Sequence, residues 1–156
     1  MEISARPFRP DDREVIFAIY ASTRQEEMAA WGWSAPQQET FLRMQFGAQS
    51  NWYEASYPGA DHRIICAGER PIGRILVQRD AGFLLLVDIA LLHEFRGQGI
   101  GTRFLSELLE QADGSHLPVR LHVQKTNGGA LRLYQRLGFI KTGEDEIYWQ
   151  MERPPV

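Results

Sequence analysis

The spacing of hydrophobic residues changes along the chain, and the change predicts where helices and strands lie. In the first third, apolar residues recur at helical spacing in residues 11–28, after an Asp11 or Asp12 N-cap, and again in residues 37–52. From residue 63 the spacing becomes that of strands, with three apolar runs separated by short links rich in glycine, proline and aspartate. These runs are residues 63–67, 72–79 and 83–92. We expect two helices and then an antiparallel meander.

The third apolar run leads into a polar elbow and then into three glycines at alternate positions, Gly97, Gly99 and Gly101. Apolar residues then return at helical spacing. They are Ile100, Phe104, Leu105, Leu108, Leu109 and Ala112. The pattern predicts a strand, a glycine turn and an amphipathic helix. Backbone N–H groups converge at such a helix N-terminus, where the helix dipole favours an anion such as a diphosphate.

The remaining segments complete an α+β fold. Residues 119–123 predict a strand and residues 128–137 a helix, while residues 139–141 and 147–151 predict a closing pair of strands. A short first strand is expected at residues 2–5. The segment from the third apolar run to the next strand has the length of a parallel crossover. We therefore expect a mixed sheet with helices on both faces.

Composition sets limits but names no function. The 156 residues predict one domain over residues 1–156, with residues 153–156 as a loose tail. A net charge of −3 gives no electrostatic reason to expect nucleic acid or an anionic membrane as a partner. Cys66 is the single cysteine, which suits a reducing cytosol. The N-terminus lacks the apolar run of a signal peptide, and the longest apolar run is about half as long as a membrane-spanning helix needs. We expect a cytoplasmic protein.

The residues around the glycines argue against two common nucleotide motifs. A Walker loop needs a lysine after its second glycine, but Gly101 is followed by Thr102 and Arg103. A dinucleotide fingerprint needs glycine where Thr102 stands, and a wholly parallel sheet around it. On the glycines alone, a structural turn without a ligand remains an open alternative.

A second cluster identifies the pattern. Residues 127–139 contain N-x-x-A-x-x-L-Y-x-x-x-G-F, and residues 96–101 read R-G-Q-G-I-G. Together the two motifs resemble the GNAT superfamily of acyl-coenzyme A-dependent N-acyltransferases, over about a third of the chain (residues 88–142). The resemblance implies a mixed, mostly antiparallel sheet of six to seven strands with about four helices. It also implies a central parallel strand pair that is bulged and splayed.

The resemblance implies acetyl-CoA as cofactor and assigns residues to it. Backbone N–H groups of the glycine loop would hold the pyrophosphate, with Arg96 setting the turn or adding charge. Backbone groups near Leu91 would pair with the pantetheine, and Ala130 would leave room for it. Asn127 would contact the cofactor, cap its own helix, or both. The implied cofactor residues are Leu91, Leu92, Arg96, Gly97, Gln98, Gly99, Ile100, Gly101, Thr102, Asn127, Ala130 and Tyr134.

The resemblance also implies roles in catalysis. Tyr134 would be the general acid, although a phenol (pKa about 10) is a weaker acid than a thiol (about 8.5), so a strong hydrogen bond should precede proton transfer. The alternative is an aromatic core residue. Asp88 would contact or deprotonate the acceptor amine, or else be a bonded structural carboxylate. His122 would be a base, or a satisfied histidine within the sheet.

The resemblance implies that the acceptor amine binds beside the region between the first two helices. Glu27, Trp31 and Trp33, beside Glu26 and Trp52, would attract and enclose a cationic amine, together with Asp88 and His122. The alternative is that the acidic residues end an exposed helix turn and the tryptophans pack beneath the loop. The expected reaction is direct transfer of an acetyl group from acetyl-CoA to a primary amine, with no metal. The amine, small molecule or peptide, stays unidentified. The alternative is a non-catalytic acyl-CoA sensor, and a homodimer through the edge at residues 147–151 is also expected.

Overall fold

The computed structural model describes residues 2–156, apart from the side chains of Gln25 and Glu26. This part of the chain forms seven strands and four α-helices. They are β1 (Ile3–Pro7), α1 (Arg13–Ala29), α2 (Ala35–Ser56), β2 (Asp61–Ala67), β3 (Arg70–Arg79), β4 (Leu84–Leu91), α3 (Ile100–Gly114), β5 (Val119–Gln124), α4 (Gly128–Arg136), β6 (Ile140–Glu144) and β7 (Tyr148–Arg153). Short 3-10 helices occupy Pro10–Asp12 and His93–Phe95.

The strands form one sheet in the order β1-β2-β3-β4-β5-β7-β6. Every neighbouring pair is antiparallel except β4 and β5, which run parallel. The helix α3 supplies the crossover between these two strands, as parallel neighbours require. The predicted α+β class, the meander of β2 to β4 and the central parallel pair are confirmed.

Helices cover both faces of the sheet. The predicted stripe of α3 is buried against one face together with α4, and its residues are Ile100, Phe104, Leu105, Leu108, Leu109 and Ala112. On the other face α1 and α2 pack through Phe17, Tyr20, Met28 and Leu42. The side chains of β2 alternate between the two layers. Ile65 joins the α3 core, while Ile64 contacts the layer of Ile16 on α1.

A β-bulge divides the central strand β4. Leu76 of β3 lies opposite Asp88, but the next residue, Val77, lies opposite Leu86, so Val87 is the extra residue. The parallel pairing of β4 with β5 covers only three residue pairs and ends at Leu86. Beyond the bulge the two strands part, and a cleft opens between them. This is the splayed pair that the resemblance implied.

Helix starts follow their capping residues. Ser34 and Gln37 form a capping box in which the Gln37 amide donates to Ser34 Oγ at 3.3 Å, so α2 begins at Ala35, two residues earlier than predicted. Asp12 stands at the start of α1, as expected. However, its carboxylate accepts from Arg6 and from the Arg9 amide, not from the first amides of α1.

Two expectations about the C-terminal residues are wrong. Strand β7 lies between β5 and β6, so residues 147–151 are not a sheet edge and offer no basis for an edge-to-edge homodimer. The expected loose tail is tied to α3. Arg153 is the last residue of β7 and pairs with Asp113, and the Val156 amide donates to the same carboxylate at 3.0 Å.

Across the described residues, no helix combines the length and the apolar character that crossing a membrane requires.

Candidate functional site

The cleft between β4 and β5 is a cavity of about 590 Å³ that reaches from the glycine loop to the helices α1 and α2. Eight elements contribute to its walls: α1, α2, β3, β4, α3, β5, α4 and β7. The cleft exists because β4 stops pairing with β5 after Leu86, which leaves a gap between the two strands. Its two ends differ in chemistry.

The glycine loop forms one end of the cleft. Gly97 and Gly99 have φ of +72° and +81°, which favours glycine, and α3 begins directly afterwards at Ile100. Gly101 lines the cleft, and a Cβ atom added there would meet no atom within 4 Å. The loop therefore leaves open space at the positive end of a 15-residue helix, which suits an anion.

Arg96 fixes the loop to the strand that precedes it. Its Nε atom donates to the Leu91 carbonyl oxygen at 3.2 Å, and its side chain lines the cleft. This bond is compatible with the expected role of setting the turn, and the role of adding charge stays a prediction. Gln98 also stays within the loop, because its Nε2 atom donates to the Glu94 carbonyl at 3.0 Å.

Leu91 and Leu92 differ in the direction of their backbone amides. The Leu92 amide donates to the Ile72 carbonyl of β3 at 2.8 Å, so it is already used within the sheet. Backbone groups of successive strand residues point to opposite sides. Leu91 therefore turns its amide toward the open side, where β5 has moved away. Gly73 lies opposite Leu91, and a side chain at Gly73 would collide with the Ala90 carbonyl and with Leu91 Cδ2 at 2.6 Å.

The helix α4 brings three predicted residues to the cleft: Asn127, Ala130 and Tyr134. Asn127 caps the helix, since its side chain accepts a bond from the Ala130 amide at 3.2 Å. Tyr134 is buried and packs edge-on against Phe139, with ring centroids 5.7 Å apart. Its burial, and then the charge of Asp88, raise the pKa of its phenol to about 12. Tyr134 is thus a protonated hydrogen-bond donor at neutral pH.

Asp88 reaches the cleft because of the bulge. In a regular strand, with Val87 paired like its neighbours, alternation would place Asp88 on the same face as Leu84 and Leu86, inside the apolar core beneath α3. The bulge inverts the alternation and turns Asp88 toward α1 and α2. There Arg74 Nε donates to Asp88 Oδ2 at 2.8 Å. Asp88 is therefore a bonded carboxylate that also lines the cleft.

The acceptor end contains some of the predicted residues but not others. Glu27 and His122 line the cleft with Asp88. Trp31 and Trp33 do not line it. They pack edge-on against each other and against Phe41, with ring centroids 5.2–5.8 Å apart. Trp52 is largely exposed, also away from the cleft, and the side chain of Glu26 lies outside the described residues.

Several residues that line the cleft were not identified as site residues from the sequence. Arg74, Gln49, Tyr53 and Tyr148 all contribute to its walls. Arg74 carried a usable signal: it is the only charged residue within a run of apolar residues in β3, as Asp88 is in the neighbouring strand. Two opposite charges inside adjacent apolar strands predict a pair, because neither charge is stable there alone.

Some predicted cofactor residues support the loop without lining the cleft. Leu92, Gly97, Gln98, Gly99, Ile100 and Thr102 are not among its walls. Ile100 is buried in the core beneath the loop, whereas Thr102 is exposed on the first turn of α3. Within the described part of the chain, no group of three or more His, Cys, Asp or Glu residues is arranged to hold a metal.

Comparison with known proteins explains why these features occur together. The sequence model of the Acetyltransferase (GNAT) family matches residues 20–139. The chain belongs to this family. The matched region contains the glycine loop, the bulged strand and α4, so the resemblance found in the two short motifs is confirmed over most of the chain.

Other GNAT proteins resemble the chain over different lengths. It is 40% identical over 57 residues to the N-alpha-acetyltransferase RimI of Mycobacterium tuberculosis, which is 36% of this chain and 35% of that protein. The match thus spans about a third of that relative's length.

Two solved structures share the whole fold at low identity. The PaiA N-acetyltransferase of Thermoplasma acidophilum, solved in complex with coenzyme A, has a TM-score of 0.75 and 20% identity, with 99% of each chain covered. The ribosomal-protein-S18-alanine N-acetyltransferase of Escherichia coli has a TM-score of 0.68 and 19% identity, covering 98% of this chain and 94% of that one. At such identities the similarity establishes the GNAT fold of this chain.

Proposed function

We propose that this protein is an N-acetyltransferase that transfers the acetyl group of acetyl-CoA to a primary amine by direct attack in a ternary complex. One observation carries the proposal. A single cleft joins an open helix N-terminus at Gly101 to a buried, protonated tyrosine and a carboxylate, Tyr134 and Asp88. Membership in the GNAT family supports the same activity.

The residues of the cleft fit acetyl-CoA. Backbone amides of the glycine loop, with open space above Gly101, suit the pyrophosphate. The outward amide of Leu91, where β4 no longer pairs with β5, suits the amide groups of pantetheine. Bound acetyl-CoA would supply a thioester, which is an activated acetyl donor. Ala130 leaves room beside α4, and the amide oxygen of Asn127 holds that helix in place.

Tyr134 is the residue that we assign to the leaving sulfur. Its phenol keeps its proton across the physiological range, because burial raises its pKa to about 12. A donor in a buried site stabilises negative charge as the charge develops. A phenol is a weaker acid than a thiol, so the hydrogen bond acts first and the proton follows late.

The acceptor amine must lose a proton before it attacks. An alkyl ammonium has a pKa of about 10.4, so at pH 7 only about one molecule in a few thousand is neutral. We assign binding of the ammonium to Asp88, which Arg74 holds in position. His122 lines the same cleft and carries an imidazole, the side chain that most often serves as a general base in enzymes. Glu27 also lines this cleft.

The proposal is tested by thiol release from acetyl-CoA with a panel of small amines and peptides. We expect the native protein to release thiol with at least one amine, and Tyr134→Phe to lower kcat by about a hundredfold. Tyr148→Phe, which removes a hydroxyl from another tyrosine of the cleft, is the control and should retain most of the activity.

The alternative of a non-catalytic acyl-CoA sensor gives a different result. Acetyl-CoA would then raise the melting temperature, but no amine in the panel would release thiol. Unchanged kcat in Tyr134→Phe would also contradict the role that we assign to this hydroxyl.

A further inference from the structure

Three arginines of the described chain line the cleft, and they differ in how far the protein itself uses them. Arg74 donates to Asp88 Oδ2 at 2.8 Å. Arg96 donates to the Leu91 carbonyl oxygen at 3.2 Å. The guanidinium of Arg24, on α1, has an ion-pair contact but no hydrogen bond among the described residues. Its N–H donors are therefore available to a ligand in the cleft.

Arg24 is held at the wall of the cleft by contacts that leave its charge available. Its side chain is 28% exposed, and its guanidinium lies over the Tyr20 ring at 5.2 Å. Glu27, one turn further along α1, lies 3.8 Å away, which is beyond hydrogen-bond distance, and its side chain is 57% exposed. An ion pair this open is weak. An anionic group of a ligand can therefore replace Glu27 at little cost.

Three tyrosines that line the cleft connect Arg24 with Asp88. Burial raises the pKa of Tyr20, and the nearby charge of Arg24 opposes that shift. Burial, and then the charge of Asp88, raise the pKa of Tyr53. The phenol of Tyr148 adds to both shifts, so Tyr148 lies near both other rings. One wall of the cleft thus leads from a free cation to the carboxylate to which we assign the acceptor ammonium.

The charges at this end of the cleft favour an anion with a single charge. Glu27 and Asp88 line the same cleft as Arg24, so a dianion such as a phosphate ester would be repelled by two carboxylates. A carboxylate has one charge, and its two oxygens match the planar fork of a guanidinium in two parallel hydrogen bonds. The ligand group that fits Arg24 is therefore a carboxylate.

We propose that the acceptor is a small amino acid, whose ammonium group binds Asp88 and whose carboxylate binds Arg24. This inference rests on the proposed acetyltransferase function and adds the class of substrate to it. The first residue of a peptide carries an amide in place of that carboxylate, so Arg24 favours a free acid over a peptide N-terminus. The cleft of about 590 Å³ must also hold the arm of the cofactor, which favours a small acceptor.

The test measures acceptor binding separately from turnover. Isothermal titration calorimetry on the protein saturated with coenzyme A compares α-amino acids and short ω-amino acids with their amides, which keep the amine but lack the carboxylate. At about pH 6 the amines of both are protonated, since even an α-amino group beside an amide has a pKa of about 8. We expect at least one acid to bind about tenfold or more tightly than its amide, the factor that a charge-assisted hydrogen bond supplies.

Thiol release from acetyl-CoA with the same compounds distinguishes this inference from the function on which it rests. The preferred acid should also release thiol. If amides bind and react as well as every acid, the amino-acid assignment is wrong and the acetyltransferase function stands. Selective binding of an acid without thiol release would keep the carboxylate site but contradict acetyl transfer. No binding of any acid would overturn the role of Arg24.

Three variants of α1 locate the carboxylate site. Arg24→Gln should remove the preference, so that the acid and its amide bind alike. Glu27→Gln should strengthen binding of the acid by up to about fivefold, because it removes the weak competing partner of Arg24. If Glu27 instead held the ammonium, that variant would weaken acids and amides equally. Arg13→Gln, at the exposed start of the same helix, should keep the native preference. A preference that persists in Arg24→Gln would refute the assignment.

Discussion

Arg74 Nε lies 2.8 Å from Asp88 Oδ2, and this bond joins the two strands on the cleft side of the sheet. The guanidinium is almost completely buried, whereas the Asp88 side chain is 26% exposed to the cleft. Arg74 has a further acceptor in Gln49. The pair therefore ties β3, β4 and α2 together at the point where β4 leaves β5.

Removing Asp88 should destabilise the fold because it leaves a buried cation without a counter-charge. We expect Asp88→Ala to lower the free energy of unfolding by about 2–3 kcal/mol, somewhat less than for a fully buried pair, since Gln49 and the cleft still solvate the guanidinium. Urea denaturation measures the change. The double variant Arg74→Met with Asp88→Ala should recover part of the loss, because no unpaired charge then remains buried.

The control is an ion pair at the surface. Glu94 lies 2.6 Å from Arg70, and both side chains are more than half exposed. Glu94→Ala should therefore cost less than about 1 kcal/mol. If Asp88→Ala costs no more than Glu94→Ala, the Arg74–Asp88 pair does not support the fold as described.

The order of helices and strands could be predicted because their signals are local. The α3 stripe and the glycine turn before it are visible as spacing and residue type, and both occur where expected. The bulge at Val87 gives no such signal. Residues 83–92 are apolar at almost every position, so the sequence shows no alternation from which a change of face could be detected. The face of the sheet toward which Asp88 points therefore could not be predicted from the sequence.

Features set by distant contacts could not be predicted either. A hairpin of β6 and β7 is local, but which of its strands pairs with β5 depends on the packing of the whole sheet, and β7 takes that place. Trp31 and Trp33 lie in the expected loop region. Their aromatic side chains predict packing against other residues but do not specify which ones. In the structure they pack against Phe41 of α2 and do not reach the cleft.

Gly101 offers a sharper test of the cofactor loop than Gly99. Gly99 has φ of +81°, which strains any other residue there, so a substitution would change the loop conformation as well as cofactor binding. Gly101 lies in the first turn of α3 with space around it, so leucine fits the helix and fills the cleft opening. We expect Gly101→Leu to weaken acetyl-CoA binding at least about tenfold while the melting temperature is retained or raised, because leucine favours helix over glycine.

Gly114 provides the matched control. It is the last residue of the same helix, it also has open space around it, and it lies outside the cleft. Isothermal titration calorimetry measures acetyl-CoA binding to both variants, and Gly114→Leu should leave the affinity unchanged. Equal affinities for Gly101→Leu and the native protein would remove the assignment of this loop to the pyrophosphate.

Asp12 should control the stability of the fold in acid. Its two carboxylate oxygens each accept a bond of 2.8 Å from Arg6, and Oδ2 also accepts from the Arg9 amide at 2.8 Å. The Arg6 bonds chiefly hold the pKa of Asp12 at about 2, below its ordinary value of 3.8. Because the folded pKa is the lower one, this contribution is complete above pH 4 and is lost as pH falls toward 2.

A difference of almost two pKa units corresponds to about 2 kcal/mol, so Asp12→Asn should lower the free energy of unfolding by about that amount at pH 7. The native protein and the variant should then converge between pH 4 and pH 2, because protonation removes the same interaction from the native protein. Urea denaturation at successive pH values measures the convergence. Asp11→Asn, at the exposed neighbouring position, should run parallel to the native curve throughout. A constant gap between Asp12→Asn and the native protein down to pH 2 would show that Arg6 does not act through the charge of Asp12.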